Sequence, residues 1–118
     1  MVNFWEPWCG PCVGEMPDLE KLYETYKDQG LVILGSFSTS GADEDVKKVV
    51  EDIGITYPII RTDKMLQQYM TAYVPTTIFV DGEGNILTEE PYIGAKSAAE
   101  WERIITDYLS QFTSDMDS

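Results

Sequence analysis

Cys9 and Cys12 are the only cysteines among 118 residues, and they stand two residues apart in Trp8-Cys9-Gly10-Pro11-Cys12. Thiols at that spacing can close a small disulfide ring and open it again, so the chemistry they offer is thiol-disulfide exchange. An apolar run, Val2-Asn3-Phe4-Trp5, precedes them and reads as a buried strand, and a helix is predicted from about Gly10. A thiol at the first turn of a helix feels the partial positive charge of the N-terminus and its free N–H groups. Both stabilise a thiolate, so its pKa falls from ~8.5 towards ~7 or lower. Pro11 suits the first turn, where a missing N–H costs little. Cys9, at the exposed helix start, is the candidate nucleophile. Cys12, one turn further in, is the candidate resolving thiol. Two other uses of the pair stay open: an inert static disulfide, or a metal site completed by carboxylates or a second chain.

The rest of the composition narrows the field. Histidine is absent, which removes Cys-His and Ser-His nucleophilic catalysis and the commonest zinc ligand. Eight basic residues against 21 acidic ones give a net charge of −13, which repels nucleic acid and anionic membrane surfaces. No stretch approaches the ~20 apolar residues of a membrane span. No basic segment followed by an apolar one opens the chain as a signal peptide would. The length suits one domain, expected over 1–112, with 113–118 a polar, frayed tail.

The elements that must position the cysteines follow from hydrophobic spacing. The first helix is predicted over 10–28, with Val13, Met16, Leu19, Tyr23 and Tyr26 inward, Pro17 as a kink and Gly30 as its close. The run Leu31–Phe37 reads as a second buried strand. A helix over 42–53 follows, ended by Gly54, with Asp43, Glu44 and Asp45 in its first turn. Tyr57-Pro58-Ile59-Ile60 is a short extended segment, and a short helix from Lys64 to Ala72 is capped by Asp63. Residues 76–80 and those from Ile86 onward are predicted to form a hairpin around Asp81-Gly82-Glu83-Gly84-Asn85. Ser97 and Glu100 make a capping box for the last helix, whose apolar face runs from Trp101 to Phe112. One mixed four-stranded α/β sheet with helices on both faces accommodates these elements, its first two strands parallel through a right-handed crossover.

Together these residues resemble the thioredoxin-like family, and within it the TlpA/ResA-type thiol-disulfide oxidoreductases. The strand and motif from Val2 to Cys12, the Glu15-Met16-Pro17 segment, and Val74-Pro75 leading into Thr76-Thr77-Ile78-Phe79-Val80 carry the resemblance. It implies a thioredoxin-like fold with a minimal glutaredoxin-like core. It also implies a cis bond before Pro75, with Pro75 set against the cysteine pair and the Val74 backbone pairing with an extended substrate segment. Trp8 would shape partner contact at the surface, with Gly10 and Pro11 beside it, while Trp5 would be core. In that branch the carboxylate at Glu15 helps handle the buried thiol's proton; a solvated glutamate on the helix face is the alternative. Asn3 stands where many thioredoxins carry a buried acid, which gives Glu15 more weight. Glu6 would place negative charge near the thiolate and oppose the helix dipole.

The resemblance points to a protein-disulfide reductase that needs no organic cofactor. Its partners would be protein disulfides or dithiols and an upstream reductant. Gly10-Pro11 between the cysteines favours the reducing direction. A non-catalytic binding module and a thiol peroxidase are the rival readings, the latter weakened by Glu6 standing three residues before Cys9 in place of threonine. The branch is typically extracytoplasmic and membrane-tethered; a cytoplasmic thioredoxin-like protein is the alternative. Family members carry further structure before the first strand. The chain is therefore expected to be part of a longer protein, or to leave the strand at 31–37 as a sheet edge open to self-association.

Overall fold

The computed structural model describes residues 1–117, with side chains through residue 111. Its strands are β1 (Val2–Phe4), β2 (Leu34–Phe37), β3 (Ile59–Arg61), β4 (Thr76–Ile78) and β5 (Tyr92–Ile93). Its helices are α1 (Gly10–Tyr26), α2 (Asp43–Ile53), α3 (Lys64–Gln67) and α4 (Ala98–Asp117). The strands form one mixed sheet in the order β3-β2-β1-β4-β5, with β1, β2 and β3 parallel and β4 and β5 each antiparallel to its neighbour. The strand that leads into the cysteines therefore lies at the centre.

Two expectations are corrected. The sheet has five strands, not four, because the extended segment at 57–60 becomes β3 and pairs with β2 in register Gly35↔Ile59 and Ser36↔Ile60. The strand at 31–37 is consequently no edge, and the ground for self-association through it disappears. The residues from Ile86 contribute one bridge, Val80↔Ile86, and β4 takes its partner from Tyr92–Ile93 instead. The intervening Thr88 turns its hydroxyl back to accept from Phe79 N at 2.6 Å, so the chain leaves the ladder there.

Both faces of β1 are covered. On one, Trp5, Met16, Leu19, Ile33, Trp101 and Ile105 make the main core beneath α1 and α4. On the other, Val2, Phe4 and Ile78 pack with Leu66, Tyr69 and Met70 from α3 and the turn after it. Each such side chain buried contributes ~1.5–3 kcal/mol. The crossing is tight at Gly35, where a Cβ would come within 2.6 Å of Ile59 Cδ1 and 3.1 Å of Trp5 Nε1.

Local chemistry sets the helix ends. α1 runs unbroken through Pro17, passes into a 3₁₀ turn over Lys27–Gln29 and stops at Gly30 with φ 105°. α2 stops at Gly54 with φ 84°. Asp63 accepts from Leu66 N and starts α3, which ends at Gln67, short of the expected Ala72. Beyond it Thr71 Oγ1 takes Tyr73 N and meets Thr76 Oγ1, diverting the chain towards β4. Ser97 and Glu100 exchange hydrogen bonds as a capping box for α4. The expected fraying of 113–118 and the Phe112 side chain lie outside the described side chains.

Candidate active site

The central strand ends where the chemistry begins. Trp5 N donates to Ser36 O and carries the β1–β2 ladder one residue further. A turn closed by Cys9 N donating to Glu6 O then delivers Cys9 to the N-cap of α1, with backbone φ −91° and ψ 106°. There Cys9 Sγ accepts from Cys12 N at 3.2 Å, an orphan helix donor aimed at the sulfur that would carry the thiolate charge. The two cysteines form a disulfide with Cα atoms 5.3 Å apart. Cys9 keeps 6% of its surface and Cys12 none, so one sulfur has a path to solvent and the other does not.

The Val74–Pro75 peptide bond is cis. Pro75 is buried, and the Val74 carbonyl oxygen lies 3.7 Å from Cys9 Sγ across 65 residues of sequence. The segment entering β4 therefore stands against the redox pair. Trp8 is 66% exposed beside Cys9, its indole N–H given to Thr39 Oγ1 at 2.9 Å. Gly10 and Pro11 form the exposed lip of the helix start, and an added Cβ on Gly10 would meet open space.

Glu15 is not a solvated surface residue. It is 3% exposed, on the same helix face as Cys12 one turn back. Its Oε1 accepts from Trp101 Nε1 at 2.6 Å, and its Oε2 has no partner in hydrogen-bond geometry among the described residues. Burial pushes its pKa up to about 7, against the pull of the Trp101 indole and of Lys96. A carboxyl poised near neutrality can both take and return a proton.

Among the described residues no group of three or more Cys, Asp or Glu comes together as metal ligands. A family model described as the AhpC/TSA family matches residues 1–88. The chain belongs to the AhpC/TSA family. Among curated relatives, this AhpC/TSA chain is 39% identical over 87 residues to "Thiol-disulfide oxidoreductase ResA" of Geobacillus kaustophilus, covering 72% of this chain and 49% of that one. It is 32% identical over 113 residues to the protein of the same name from Oceanobacillus iheyensis, covering 94% and 57%. The chain thus spans about half the length of the curated relatives it matches. Among solved structures, a thiol:disulfide interchange protein of the thioredoxin family from Chlorobium tepidum superposes with a TM-score of 0.79 at 28% identity. That alignment covers 92% of this chain and 77% of the other.

Two features of this AhpC/TSA site escaped the sequence. Glu6 does not hang free near the thiolate: its carboxylate is buried and accepts from Ser38 N, Ser38 Oγ, Thr39 N and Thr39 Oγ1 at 2.6–3.1 Å. It ties the motif loop to the loop after β2, and through Thr39 it anchors Trp8. Glu6→Ala leaves two backbone N–H groups without an acceptor. It is expected to cost about 2 kcal/mol in chemical unfolding and to blunt the emission difference of Trp8 from free indole. The second feature is Trp101, whose helical spacing marked it as core and nothing more. Its indole N–H donor signalled a need for a buried acceptor, though not which one.

Proposed function

We propose that the chain is a thiol-disulfide oxidoreductase that reduces disulfides of protein partners. The observation that carries this reading is the Cys9–Cys12 disulfide at the start of α1, with the outer sulfur against the Val74 carbonyl and the inner one closed off.

In the dithiol form, the Cys9 thiolate attacks one sulfur of a partner disulfide. That S–S bond breaks, one partner sulfur leaves as a thiolate, and Cys9 holds the other in a mixed disulfide. Cys12 then loses its proton to the Glu15 carboxylate and attacks Cys9 Sγ. The mixed disulfide breaks, the second partner sulfur leaves with the electron pair, and the Cys9–Cys12 bond forms. Two electrons have passed to the partner, and its two thiolates take up protons, one returned by Glu15 and one from solvent. An upstream dithiol reductant restores the pair by the reverse sequence, so no organic cofactor takes part.

Site roles follow from position. Val74 supplies a backbone carbonyl for an extended substrate segment, with Pro75 forming the wall behind it. Trp8, Gly10 and Pro11 meet the partner on the other side of Cys9. Resemblance to the TlpA/ResA-type branch supports a working location outside the cytoplasm, the full-length protein being membrane-tethered. No helix among the described residues is long and apolar enough to cross a membrane.

The test is catalysis of disulfide reduction by dithiothreitol, with insulin as the model substrate. Acceleration over the uncatalysed rate supports the reading. No acceleration, together with no mixed disulfide captured by a Cys12→Ser chain, would overturn it.

A further inference from the structure

The aromatic wall beside Glu15 has a charge on its outer face. Trp101 is fully buried and touches Tyr92 edge-on at 5.8 Å and Phe79 at 6.5 Å between ring centroids, while Phe79 stacks on Tyr108 at 4.3 Å. The indole is held in place by these rings and has one N–H to give, which goes to Glu15 Oε1. The Lys96 ammonium lies 6.0 Å from the Trp101 ring centroid and 5.7 Å from that of Tyr92. The capping box at Ser97 and Glu100 fixes the chain at that point.

Resting on the reading that Glu15 receives the proton of Cys12, we propose that Trp101 and Lys96 are positioning residues for that step, holding the buried Glu15 carboxylate in its proton-accepting form. A carboxylate taken out of water reverts to the neutral acid unless donors and positive charge compensate it. A neutral acid cannot take the thiol proton. The indole N–H supplies a charge-assisted bond that is stronger to the carboxylate than to the acid. The ammonium over the indole face supplies a positive charge that favours the ionised carboxylate, and its attraction to the ring holds it there. Both favour the ionised form of Glu15, as does the Lys96 backbone N–H.

The other groups facing Glu15 do not do this. Asp18 on α1 opposes ionisation. The buried Tyr57 hydroxyl, ahead of β3, has no hydrogen-bond partner among the described residues and stays neutral, held so first by burial and then by the charges of Glu20 and Glu15. The Cys9–Cys12 pair carries no charge as a disulfide. Glu100 and Arg103 line the groove beside Lys96 with opposite signs.

The experiment has two readouts on the full chain. In the oxidised protein, the infrared band of the buried carboxyl is titrated and assigned by its loss in Glu15→Gln. In the reduced protein, mixing with dithiobis-nitrobenzoate gives release of a second nitrothiobenzoate when Cys12 attacks the mixed disulfide on Cys9. The wild-type midpoint is expected near pH 7. Trp101→Phe keeps an aromatic ring in the core and removes the donor; it should raise the midpoint by about one pH unit and slow second release at pH 7 about five-fold. Lys96→Gln leaves the core untouched and should raise it by about half a unit, slowing release about two-fold, because a half-buried charge is partly screened. Both should converge on wild type well above neutrality, which a merely structural defect would not do.

Midpoints unchanged in Lys96→Gln and in folded Trp101→Phe, with Glu15→Gln still slow, overturn this inference and leave the role of Glu15 standing. Second release at the wild-type rate across pH in Glu15→Gln removes that role, and with it the step these residues serve.

Discussion

Cys9→Ser is expected to abolish disulfide reduction, by roughly 10³-fold or more, and to form no covalent adduct with a partner. Cys12→Ser is expected to lose turnover to a similar extent while accumulating adduct. The asymmetry follows from access. Cys9 alone retains surface, and its sulfur receives the Cys12 N–H that favours a thiolate. Cys12 has none, so a partner disulfide cannot reach it in the folded protein. Its advantage in the second step is proximity: a group tethered one turn away acts at an effective concentration of ~10⁵ M or more, far above any thiol in solution. Without it, the mixed disulfide waits for an external thiol. Mass spectrometry of the two variants after incubation with a disulfide protein, followed by release with dithiothreitol, reads the difference. Adduct on Cys12 in Cys9→Ser would contradict the burial on which the assignment rests.

Glu15→Gln is expected to make the oxidised protein more stable by about 3 kcal/mol at pH 8, and by about 1 kcal/mol or less at pH 5. Burial raises the Glu15 pKa from its ordinary 4.5 to about 7, so the folded protein binds this proton more tightly than the unfolded chain does. Below pH 4.5 both states are protonated and Glu15 costs nothing through ionisation. Between 4.5 and about 7 the unfolded chain releases the proton and the folded one keeps it, so stability falls as pH rises. Above about 7 both are ionised and the loss is complete. Glutamine has the shape of the neutral acid, still accepts the Trp101 N–H, and cannot ionise. Urea unfolding of both proteins at pH 5 and pH 8 measures the difference; a gap that stays constant with pH would show that ionised Glu15 carries no such cost. The more stable variant should be the poorer catalyst, an exchange of stability for function of the kind active sites make.

Much of the frame was legible because it is local. The cysteine spacing, the cap at Asp63, the capping box at Ser97 and Glu100, and the stops at Gly30 and Gly54 each depend on residues within one turn, and each stands where expected. What stayed hidden was pairing across the chain. β3 and β5 are three and two residues long, too short for alternation to declare a strand, and their partners lie at least 15 residues away. Helical pitch placed Glu15 near Cys12 but could not say whether that face met water or α4. Glu6 and Glu20 escaped likewise. Each is buried because backbone and hydroxyl donors of a distant loop satisfy it: Ser38 and Thr39 for Glu6, Thr56 for Glu20.

The bond between Trp101 and Glu15 joins the first helix to the last across 86 residues. At ribosomal rates of ~5–20 residues per second, Trp101 emerges several seconds after the cysteines. Through that interval a nascent chain already displays both thiols, but Glu15, the proposed proton acceptor, has neither the indole bond nor the cover of α4. The pair can be oxidised, or captured by a foreign disulfide, before the proposed proton acceptor for its second step is in place. On this reading, control over the thiols is acquired seconds after the thiols themselves, with the arrival of α4.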